Sequence, residues 1–454
     1  MWTSEWKDEY RRKLCSAAEA AKAVRSGDLI VLPICLGQPS NLIMDAIADR
    51  KDEVSDVEFL ANLIVRPYKI FKPEYSGSFN VTTAFVSTRP LRARFPAENG
   101  YGPYAPISVF SSSKMFSVYR RPTVTSLMVT PPDDDGFVNL GPDLMFTRTL
   151  VEGRMTSQGP MGGARTVIAE VNDQYVPVRG NTRVHISKFT HIVENSTPLP
   201  AAPPPPVSDS HRRIAQNVVS LLRDRDSIQI GIGAIPMIIS DLIVDADLKD
   251  IGIFTEMLPT GAPKWVEKGI CTNRFKSFRP GEITCNFMGP VGELYDFVRD
   301  NPLVGFQTNE ITNNPAVIGS EERMVGINGG IEVDLTSQVA SMSIGNHMLS
   351  GFGGQSDFAM GCKISKLGRF IIAMQATARD SQGELTSRIV PYLTPGSLVG
   401  TLACHVDYVA TEFGIAGPLD GMPFEKRAEA LIEIAHPRFQ DELVRAAKER
   451  KLFR

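Results

Sequence analysis

Short apolar runs alternate with helix-like stretches along the N-terminal part of the chain. The runs DLIVLPICL (28–36), DVEFLANLIV (56–65) and TSLMVTPP (125–132) carry few polar residues among their apolar positions. The stretches SAAEAAKAV (16–24) and SNLIMDAIAD (40–49) show the spacing of an amphipathic helix. Continuous apolar runs interleaved with helices are typical of parallel strands whose two faces are covered. The pattern therefore predicts an α/β domain.

A proline-rich stretch, STPLPAAPPPPVSDS at 196–210, interrupts this rhythm. Its four consecutive prolines exclude a helix or an interior strand, because proline lacks an N–H donor and fixes its own φ angle. Such a stretch favours an extended, stiff connector. We therefore expect an N-terminal α/β domain at 1–195, a linker at 196–210 and a C-terminal domain at 211–454.

The rhythm resumes after the connector. A helix-like stretch at 209–224 precedes the short apolar run SIQIGIG (227–233), which ends in glycines, and a second helix-like stretch follows at 235–246. This order of strand, glycine turn and helix predicts a second α/β domain. Further buried strands and a closing helix are predicted for RMVGINGG (323–330), RFIIAMQAT (369–377), GSLVGTLAC (396–404), DYVATEFG (407–414) and the helix at 424–450.

Composition and charge exclude several classes of protein. The 454 residues are 43% hydrophobic and 22% charged, which is typical of a globular protein with two domains of ordinary size. The formal net charge is −3, so no global positive field favours a nucleic acid as partner. No apolar stretch reaches the roughly 18 residues of a membrane span, and the start, MWTSEWKDEYRRKL, is charged where a signal peptide would be apolar. We expect a cytoplasmic enzyme without membrane contact.

The six cysteines and six histidines do not form a metal or disulfide pattern. The cysteines contain no C-x-x-C pair and the histidines no H-E-x-x-H spacing. We expect no metal site, and we interpret the cysteines as small buried residues.

Several features could carry chemistry. Gly231–Pro236, GIGAIP, ends a predicted strand with glycines, which can expose N–H groups at a helix N-terminus. Glu256, in IGIFTEMLPTG, ends an apolar run just before a turn, where open α/β sheets bind ligands. Glycines also cluster in SGFGGQSDF (350–358) and in the stretch from TNNPAVI (312–318) to VGINGGIEVDL (325–335). Each feature has a structural alternative: a plain turn for the glycines, and a cap or ion pair for the glutamate.

In combination these motifs resemble the acetyl-CoA hydrolase/transferase family, specifically the class I CoA-transferases that act on acetate, butyrate or 4-hydroxybutyrate. The resemblance covers nearly the whole chain and includes, in order, VIAEVN (167–172), RVHISKFTHIVE (183–194), the proline-rich connector, GIGAIP, FTEM, the stretch from INGGIEVDLTSQV to SGFGGQSDF, SRIVP (387–391) and KRAEALIEIAHPRF (426–439).

The resemblance implies two open α/β lobes of the CoA-transferase superfamily fold and a homodimer. It also implies a ping-pong reaction in which Glu256 forms an acyl-glutamyl anhydride and then a glutamyl-CoA thioester. Coenzyme A, acyl-CoA and short carboxylic acids would be substrates, with no permanently bound cofactor. Oxyanion stabilisation would fall to the backbone of Ile232 and Gly354 and the side chain of Asn313. Contacts with CoA would come from Gly231, Ile232, Gly233, Ala234, Ile235, Ile331, Gly354 and Arg379, the last replacing a lysine that is usual in related chains.

Two alternatives to transfer stay open. Water could intercept the same thioester and give an acyl-CoA hydrolase, or the fold could serve as a non-catalytic acyl-CoA-binding protein. Glu412, in VATEFG, is a rival glutamate that the resemblance makes structural. The sequence leaves the acids unidentified; we expect their pocket around TTAFVSTRP (82–90) and PISVFSSSKMFS (106–117).

Overall fold

The computed structural model describes residues 5–86, 89–92, 100–203 and 206–453. The chain divides into two compact units. Unit 1 comprises Met1–Ala202 and Thr284–Thr312, and unit 2 comprises Pro203–Ile283 and Asn313–Arg454. The pocket region predicted around TTAFVSTRP (82–90) lies partly outside the described residues, at positions 87 and 88, and so do two prolines of the connector, at 204 and 205.

Helices and strands are numbered along the chain. The helices are α1 Glu5–Lys13, α2 Ala17–Ala21, α3 Asn41–Ala48, α4 Arg89–Arg92, α5 Val109–Lys114, α6 Thr147–Glu152, α7 Asp209–Val219, α8 Ala234–Ile243, α9 Ala262–Glu267, α10 Gly292–Val298, α11 Asn309–Thr312, α12 Pro315–Ser320, α13 Gln355–Ile364, α14 Phe424–Glu433 and α15 Pro437–Glu449. The strands are β1 Leu29–Val31, β2 Val57–Ala61, β3 Phe79–Thr83, β4 Val124–Val129, β5 Phe137–Asn139, β6 Arg154–Thr156, β7 Gly159–Met161, β8 Thr166–Val171, β9 Arg183–His185, β10 His191–Glu194, β11 Ser227–Ile230, β12 Gly252–Ile253, β13 Ile283–Cys285, β14 Val304–Phe306, β15 Met324–Gly329, β16 Glu332–Asp334, β17 Val339–Ala340, β18 Ser343–Ile344, β19 His347–Met348, β20 Arg369–Ala373, β21 Thr377–Arg379, β22 Leu385–Ser387, β23 Ile389–Val390, β24 Tyr408–Thr411 and β25 Gly414–Ala416.

Unit 1 contains a parallel sheet in the order β10-β8-β4-β1-β2-β3. Ile30 in β1 lies opposite Phe59 in β2 and Val124 in β4, which fixes the register of the central strands. Strands β4 and β8 are buried along their whole length, as expected when helices cover both faces of a parallel sheet. The predicted α/β class and the three apolar runs read as strands are confirmed.

One segment departs from the expected domain boundaries. Residues 284–312 pack within unit 1, although they lie well beyond the proline-rich connector. The backbone of Phe306 pairs with Gly180, the N–H of Met288 donates to the carbonyl of Pro142, and the Asn309 side chain donates to the carbonyl of Val109. The domain expected at 211–454 therefore does not coincide with unit 2. These pairings join residues more than a hundred positions apart, so local sequence patterns do not reveal them.

Unit 2 contains a second sheet, in the order β12-β11-β15-β20-β24-β25, with β25 antiparallel and the others parallel. The core between this sheet and its helices is mostly aliphatic and includes three buried aromatic side chains, Phe254, Phe358 and Phe370. Helix α7 begins at a capping box, in which the Ser208 hydroxyl accepts from the His211 N–H. The predicted order of strand, glycine turn and helix is confirmed by β11 and α8.

Two local predictions for unit 2 need correction. The run at 396–404 is not a strand: Thr401 makes a single bridge to Val339, and Leu402 is exposed. The run is apolar, but the structure gives it no strand partner along its length. The closing helix is divided into α14 and α15 at His436, whose ring caps α15, and Pro437 begins that helix.

Candidate active site

The carboxyl ends of three neighbouring strands in unit 2 bring the predicted site elements to one edge of its sheet. Strand β11 continues into the glycine turn, β12 leads to Glu256, and β15 leads to Ile331. Parallel pairing fixes this arrangement, since Ser227 lies opposite both Gly252 and Met324. Open parallel sheets bind ligands at this edge.

Glu256, Asn313 and Gly354 lie in direct contact. The Asn313 side chain donates from Nδ2 to Glu256 Oε2 over 2.7 Å. Gly354 precedes α13, and a Cβ atom at this position would lie 1.8 Å from Glu256 Oε2 and 2.3 Å from Asn313 Nδ2. Any side chain at 354 would therefore displace the carboxylate. The structure brings together three residues that lie far apart in the sequence.

A fourth residue, Asp357, was not among the predicted site residues. It lies in the first turn of α13, is buried, and its Oδ2 is 3.5 Å from Asn313 Nδ2. Two carboxylates thus face the same amide nitrogen, which is the donor end of the asparagine side chain. This arrangement favours the orientation in which Asn313 donates to Glu256. Asp357 lies within the motif SGFGGQSDF (350–358), but the sequence pattern indicated only the glycines of this motif as candidate site residues.

The Glu256 carboxyl is strongly affected by its surroundings. Burial raises its pKa to about 7, and the hydrogen bond from Asn313 acts in the opposite direction by stabilising the charged form. The residue as a whole nevertheless retains partial exposure. A carboxylate with a pKa close to neutral is both ionised in a large fraction of molecules and more basic than a solvated one.

The glycine turn after β11 adopts the geometry expected of a binding loop. Gly233 has φ 128°, a conformation that favours glycine, and it precedes α8. Ile232 and Gly233 are exposed, while Ala234 and Ile235 are partly buried. The N–H groups of a first helical turn have no partners within the helix, so this turn offers donors to an anionic group. The N–H of Gly231, by contrast, donates to the carbonyl of Ile327 over 2.8 Å.

Ile331 and Arg379 are engaged elsewhere. The N–H of Ile331 donates to the carbonyl of Ala340 over 2.8 Å. Arg379 is exposed on the hairpin of β21 and β22, where its Nη1 donates to the carbonyl of Gly383 over 2.7 Å. In the described part of the chain, no hydrogen bond joins either residue to Glu256.

The rival glutamate, Glu412, is held by the backbone. Its Oε2 accepts from the N–H of Ala376 over 2.9 Å, and its charge acts on the nearby Arg388. This contact ties the end of β24 to the segment that follows β20. Glu412 therefore has a structural function in unit 2.

The described ranges contain no group of three or more histidine, cysteine, aspartate or glutamate side chains placed to hold a metal ion. Within the same ranges, none of the helices combines the length and the apolar character that crossing a membrane requires.

Family models match both parts of the chain: the acetyl-CoA hydrolase/transferase N-terminal domain at residues 3–203 and its C-terminal domain at 291–447. The chain belongs to the acetyl-CoA hydrolase/transferase family. Within this family it is 34% identical to a 4-hydroxybutyrate coenzyme A transferase of Clostridium kluyveri, over 98% of this chain and 100% of that protein. It is 32% identical to a butyryl-CoA:acetate CoA-transferase of Anaerostipes caccae, over 99% of both chains. The crystal structure of RipA from Yersinia pestis, 28% identical, superposes with a TM-score of 0.89 over 99% of this chain and 100% of that chain.

Proposed function

We propose that this protein is a CoA-transferase that moves CoA from an acyl-CoA to a carboxylic acid, with Glu256 as the nucleophile. The observation that carries the proposal is the contact of Glu256 with Asn313 and Gly354 at the carboxyl edge of a parallel sheet. The transferase names of relatives that align with almost the whole chain support the same reaction.

The first half of the reaction would load CoA onto the protein. An oxygen of the Glu256 carboxylate attacks the acyl-CoA carbonyl, the C–S bond breaks, and CoA leaves as a thiolate, which gives an acyl-glutamyl anhydride. The thiolate then attacks the glutamyl carbonyl of the anhydride. The first acid leaves as a carboxylate, and glutamyl-CoA thioester remains.

The second half repeats these steps in reverse with another acid. Its carboxylate attacks the glutamyl thioester and expels the thiolate, which attacks the acyl carbonyl of the new anhydride. The products are a new acyl-CoA and the free Glu256 carboxylate. Because the thioester of the donor is replaced overall by a thioester of similar energy in the product, the reaction needs no ATP.

Each attack creates a negatively charged tetrahedral oxygen. Donors aimed at such an oxygen are worth about 2.7 to 4 kcal/mol each in comparable enzymes. We assign this function to the backbone N–H groups of Ile232 and Gly354 and to the Asn313 amide. We assign contacts with CoA to the turn at 231–235, to Ile331, to Gly354 and to Arg379, whose positive charge would suit a phosphate.

Trapping of the thioester tests the proposal. Incubation with butyryl-CoA and no acceptor acid should add CoA to a peptide that contains residues 251–261, as read by mass spectrometry. Hydroxylamine cleaves a thioester and borohydride reduces it, so either reagent should inactivate the loaded enzyme and spare the free enzyme. Glu256→Gln, which keeps the size of the side chain, should show no adduct.

An intact wild-type protein that never carries the adduct and keeps its transfer activity after borohydride treatment would refute Glu256 as the CoA carrier. An adduct that decays rapidly in water, with no acceptor present, would indicate an acyl-CoA hydrolase in place of a transferase.

A further inference from the structure

Two helices of unit 2, α12 and α13, pack side by side at close range. A Cβ atom at Gly319 of α12 would lie 2.4 Å from a side-chain atom of Ile364 in α13, and one at Gly361 of α13 would lie 2.3 Å from Ile318 in α12. A side chain at either glycine would collide with the isoleucine of the other helix. These two contacts therefore fix the separation of the helices.

The Asn313 amide, which precedes α12, faces a carboxylate on each of two sides. Its Nδ2 donates to Glu256 Oε2 over 2.7 Å and lies 3.5 Å from Oδ2 of Asp357, in the first turn of α13. An ionised carboxylate only accepts hydrogen bonds, so the amide nitrogen, and not the amide oxygen, belongs at this position. Because Asn313 and Asp357 are both buried, water competes little for their contact.

Glu256 is a charged acceptor during only part of the proposed reaction. Since its pKa is about 7, a large share of the free protein carries a neutral carboxyl near neutral pH, and a neutral carboxyl can donate a hydrogen bond as well as accept one. In the acyl-glutamyl anhydride and in the glutamyl-CoA thioester, the same group carries no charge. In these states Glu256 no longer selects the orientation of the Asn313 amide, so a constant orientation requires a further acceptor.

Asp357 suits this function by its place in α13. It lies in the first turn of a ten-residue helix, where the N-terminus favours a negative charge. Gln355, in the same turn, donates from Nε2 to Ser341 Oγ over 2.9 Å and to Thr401 Oγ1 over 3.1 Å, which ties the turn to other segments of unit 2. No step of the proposed reaction consumes the Asp357 carboxylate.

We propose that Asp357 is a positioning residue of the candidate active site, whose carboxylate holds the Asn313 amide with its nitrogen toward Glu256 while Glu256 is uncharged. The inference rests on the proposed function, which supplies the uncharged thioester. Asn313 then remains a donor to the tetrahedral oxygen that forms when an acid attacks glutamyl-CoA. All three residues lie in unit 2.

The two half-reactions, measured separately at pH 8, test this assignment. Formation of the thioester is timed by rapid quenching after mixing with butyryl-CoA, and its discharge is timed by mixing the isolated thioester with acetate and measuring acetyl-CoA. Asp357→Ala should slow discharge by about tenfold, because the Asn313 donor is then poorly placed. It should slow formation by less than about twofold, because the ionised Glu256 of the free protein holds the amide itself.

Two further variants of the same turn sharpen the measurement. Asp357→Asn keeps the size of the side chain and one acceptor oxygen, but its own amide can turn and donate, so discharge should slow by about threefold. Gln355→Ala is the matched control, since it removes hydrogen bonds from the same turn without a change at Asp357. It should slow formation and discharge by the same factor.

A double-mutant cycle tests whether Asp357 acts through Asn313. In an Asn313→Ala background, Asp357→Ala should change the rate of discharge by less than about twofold, because the two residues act as one unit. Thermal melting of each variant checks that it is folded. If Asp357→Ala does not fold, the same cycle is measured with Asp357→Asn.

Equal slowing of both half-reactions in the Asp357 variants would overturn the inference, since a merely structural residue has that effect. Unchanged discharge would overturn it as well, and so would a loss that persists undiminished without the Asn313 side chain. Each of these results leaves the proposed function intact, because the wild type still forms and discharges its thioester. A wild type that never forms the thioester refutes the proposed function and this inference together.

Discussion

The two units present their functional groups at the carboxyl edges of similar parallel sheets, but they build these edges differently. In unit 2 the edge depends on glycine: Gly354 leaves the space that the Glu256 carboxylate occupies, and Gly233 turns the chain into α8. In unit 1 the corresponding loops use Cys35 and Leu63 in backbone conformations that side chains disfavour. The unit 2 edge leaves space for the Glu256 carboxylate, whereas the unit 1 edge contains two residues in strained backbone conformations.

The two edges also carry different charged side chains, Glu256 in unit 2 and Arg66 in unit 1. Glu256 can be neutralised, because burial brings its pKa to about 7 and a single amide opposes the shift. At the unit 1 edge, Arg66 keeps two buried guanidinium nitrogens without a hydrogen-bond partner among the described residues. A group that changes its charge suits bond making, and a group of fixed charge suits recognition. The raised pKa of Glu256 is in keeping with the chemistry proposed for unit 2.

Removal of the Glu256 side chain is expected to have the largest effect. Glu256→Ala should lower the rate of CoA transfer by more than about 10⁴-fold, because one carboxylate serves as both nucleophile and CoA carrier. The loss should be the same for every pair of acids. Steady-state kinetics with butyrate and acetate as acceptors measure the loss, with circular dichroism as the folding control. Wild-type rates in Glu256→Ala would remove Glu256 from the mechanism.

A methyl group at position 354 should have the next largest effect. Gly354→Ala places a carbon within bonding distance of Glu256 Oε2 as the structure stands, so the carboxylate must move. A displacement of about one ångström can cost about 100-fold in rate. Gly292→Ala is the matched control, since this glycine begins α10 and has nothing within 4 Å of the added atom. Equal values of kcat/KM for the two variants would show that the glycine at 354 is not needed for chemistry.

The pH dependence of kcat/KM should show how the hydrogen bond from the Asn313 amide changes the pKa of Glu256. In the wild type, kcat/KM should fall as the pH drops through about 7, because only the ionised Glu256 attacks. Asn313→Ala removes a hydrogen bond to the charged form and should raise the apparent pKa by about one unit, with partial recovery of the rate at higher pH. Profiles of kcat/KM between pH 5 and 9 measure both values. A profile for Asn313→Ala that coincides with the wild type after scaling would exclude Asn313 from the control of Glu256 ionisation.

The smallest expected effect is a change in the free energy of unfolding that depends on pH. The folded-state pKa of Glu256 exceeds its unfolded value of 4.5, so the folded state is favoured by protonation and loses stability as the pH rises from 4.5 to 7. Glu256→Gln should therefore be more stable than the wild type by about 1 to 3 kcal/mol at pH 8, and should lose this advantage near pH 4.5. Urea denaturation at both pH values measures the difference; a gain from Glu256→Gln that persists unchanged in acid would contradict the raised pKa.

The sequence predicted the local elements around Glu256 well, for a physical reason. The order of β11, glycine turn and α8 appears as a change of hydrophobic period at the glycines, and Glu256 ends an apolar run. Asn313 and Gly354 were predicted through the family resemblance alone, since no local pattern shows that they touch Glu256. The structure adds the contact itself and the burial that raises the pKa.

Other features could not be predicted because they depend on distant partners. Asp357 and Arg66 are ordinary charged residues in the sequence, and their significance comes from what surrounds them once buried. The run at 396–404 has the composition of a strand, yet a strand also requires neighbours along its length. The strain at Cys35 and Leu63 arises from hydrogen bonds between two loops that lie far apart in sequence.

The segment 284–312 has a consequence for protein engineering. Because the polypeptide leaves unit 1 near residue 202, returns at 284 and leaves again after 312, a gene divided at the prolines would not yield two self-sufficient halves. The first half would lack Phe306, which pairs with Gly180, and Asn309, which donates to Val109. The second half would carry these residues without the unit 1 groups that they contact. Split reporters, fragment libraries and domain exchanges between relatives should therefore be designed around three junctions.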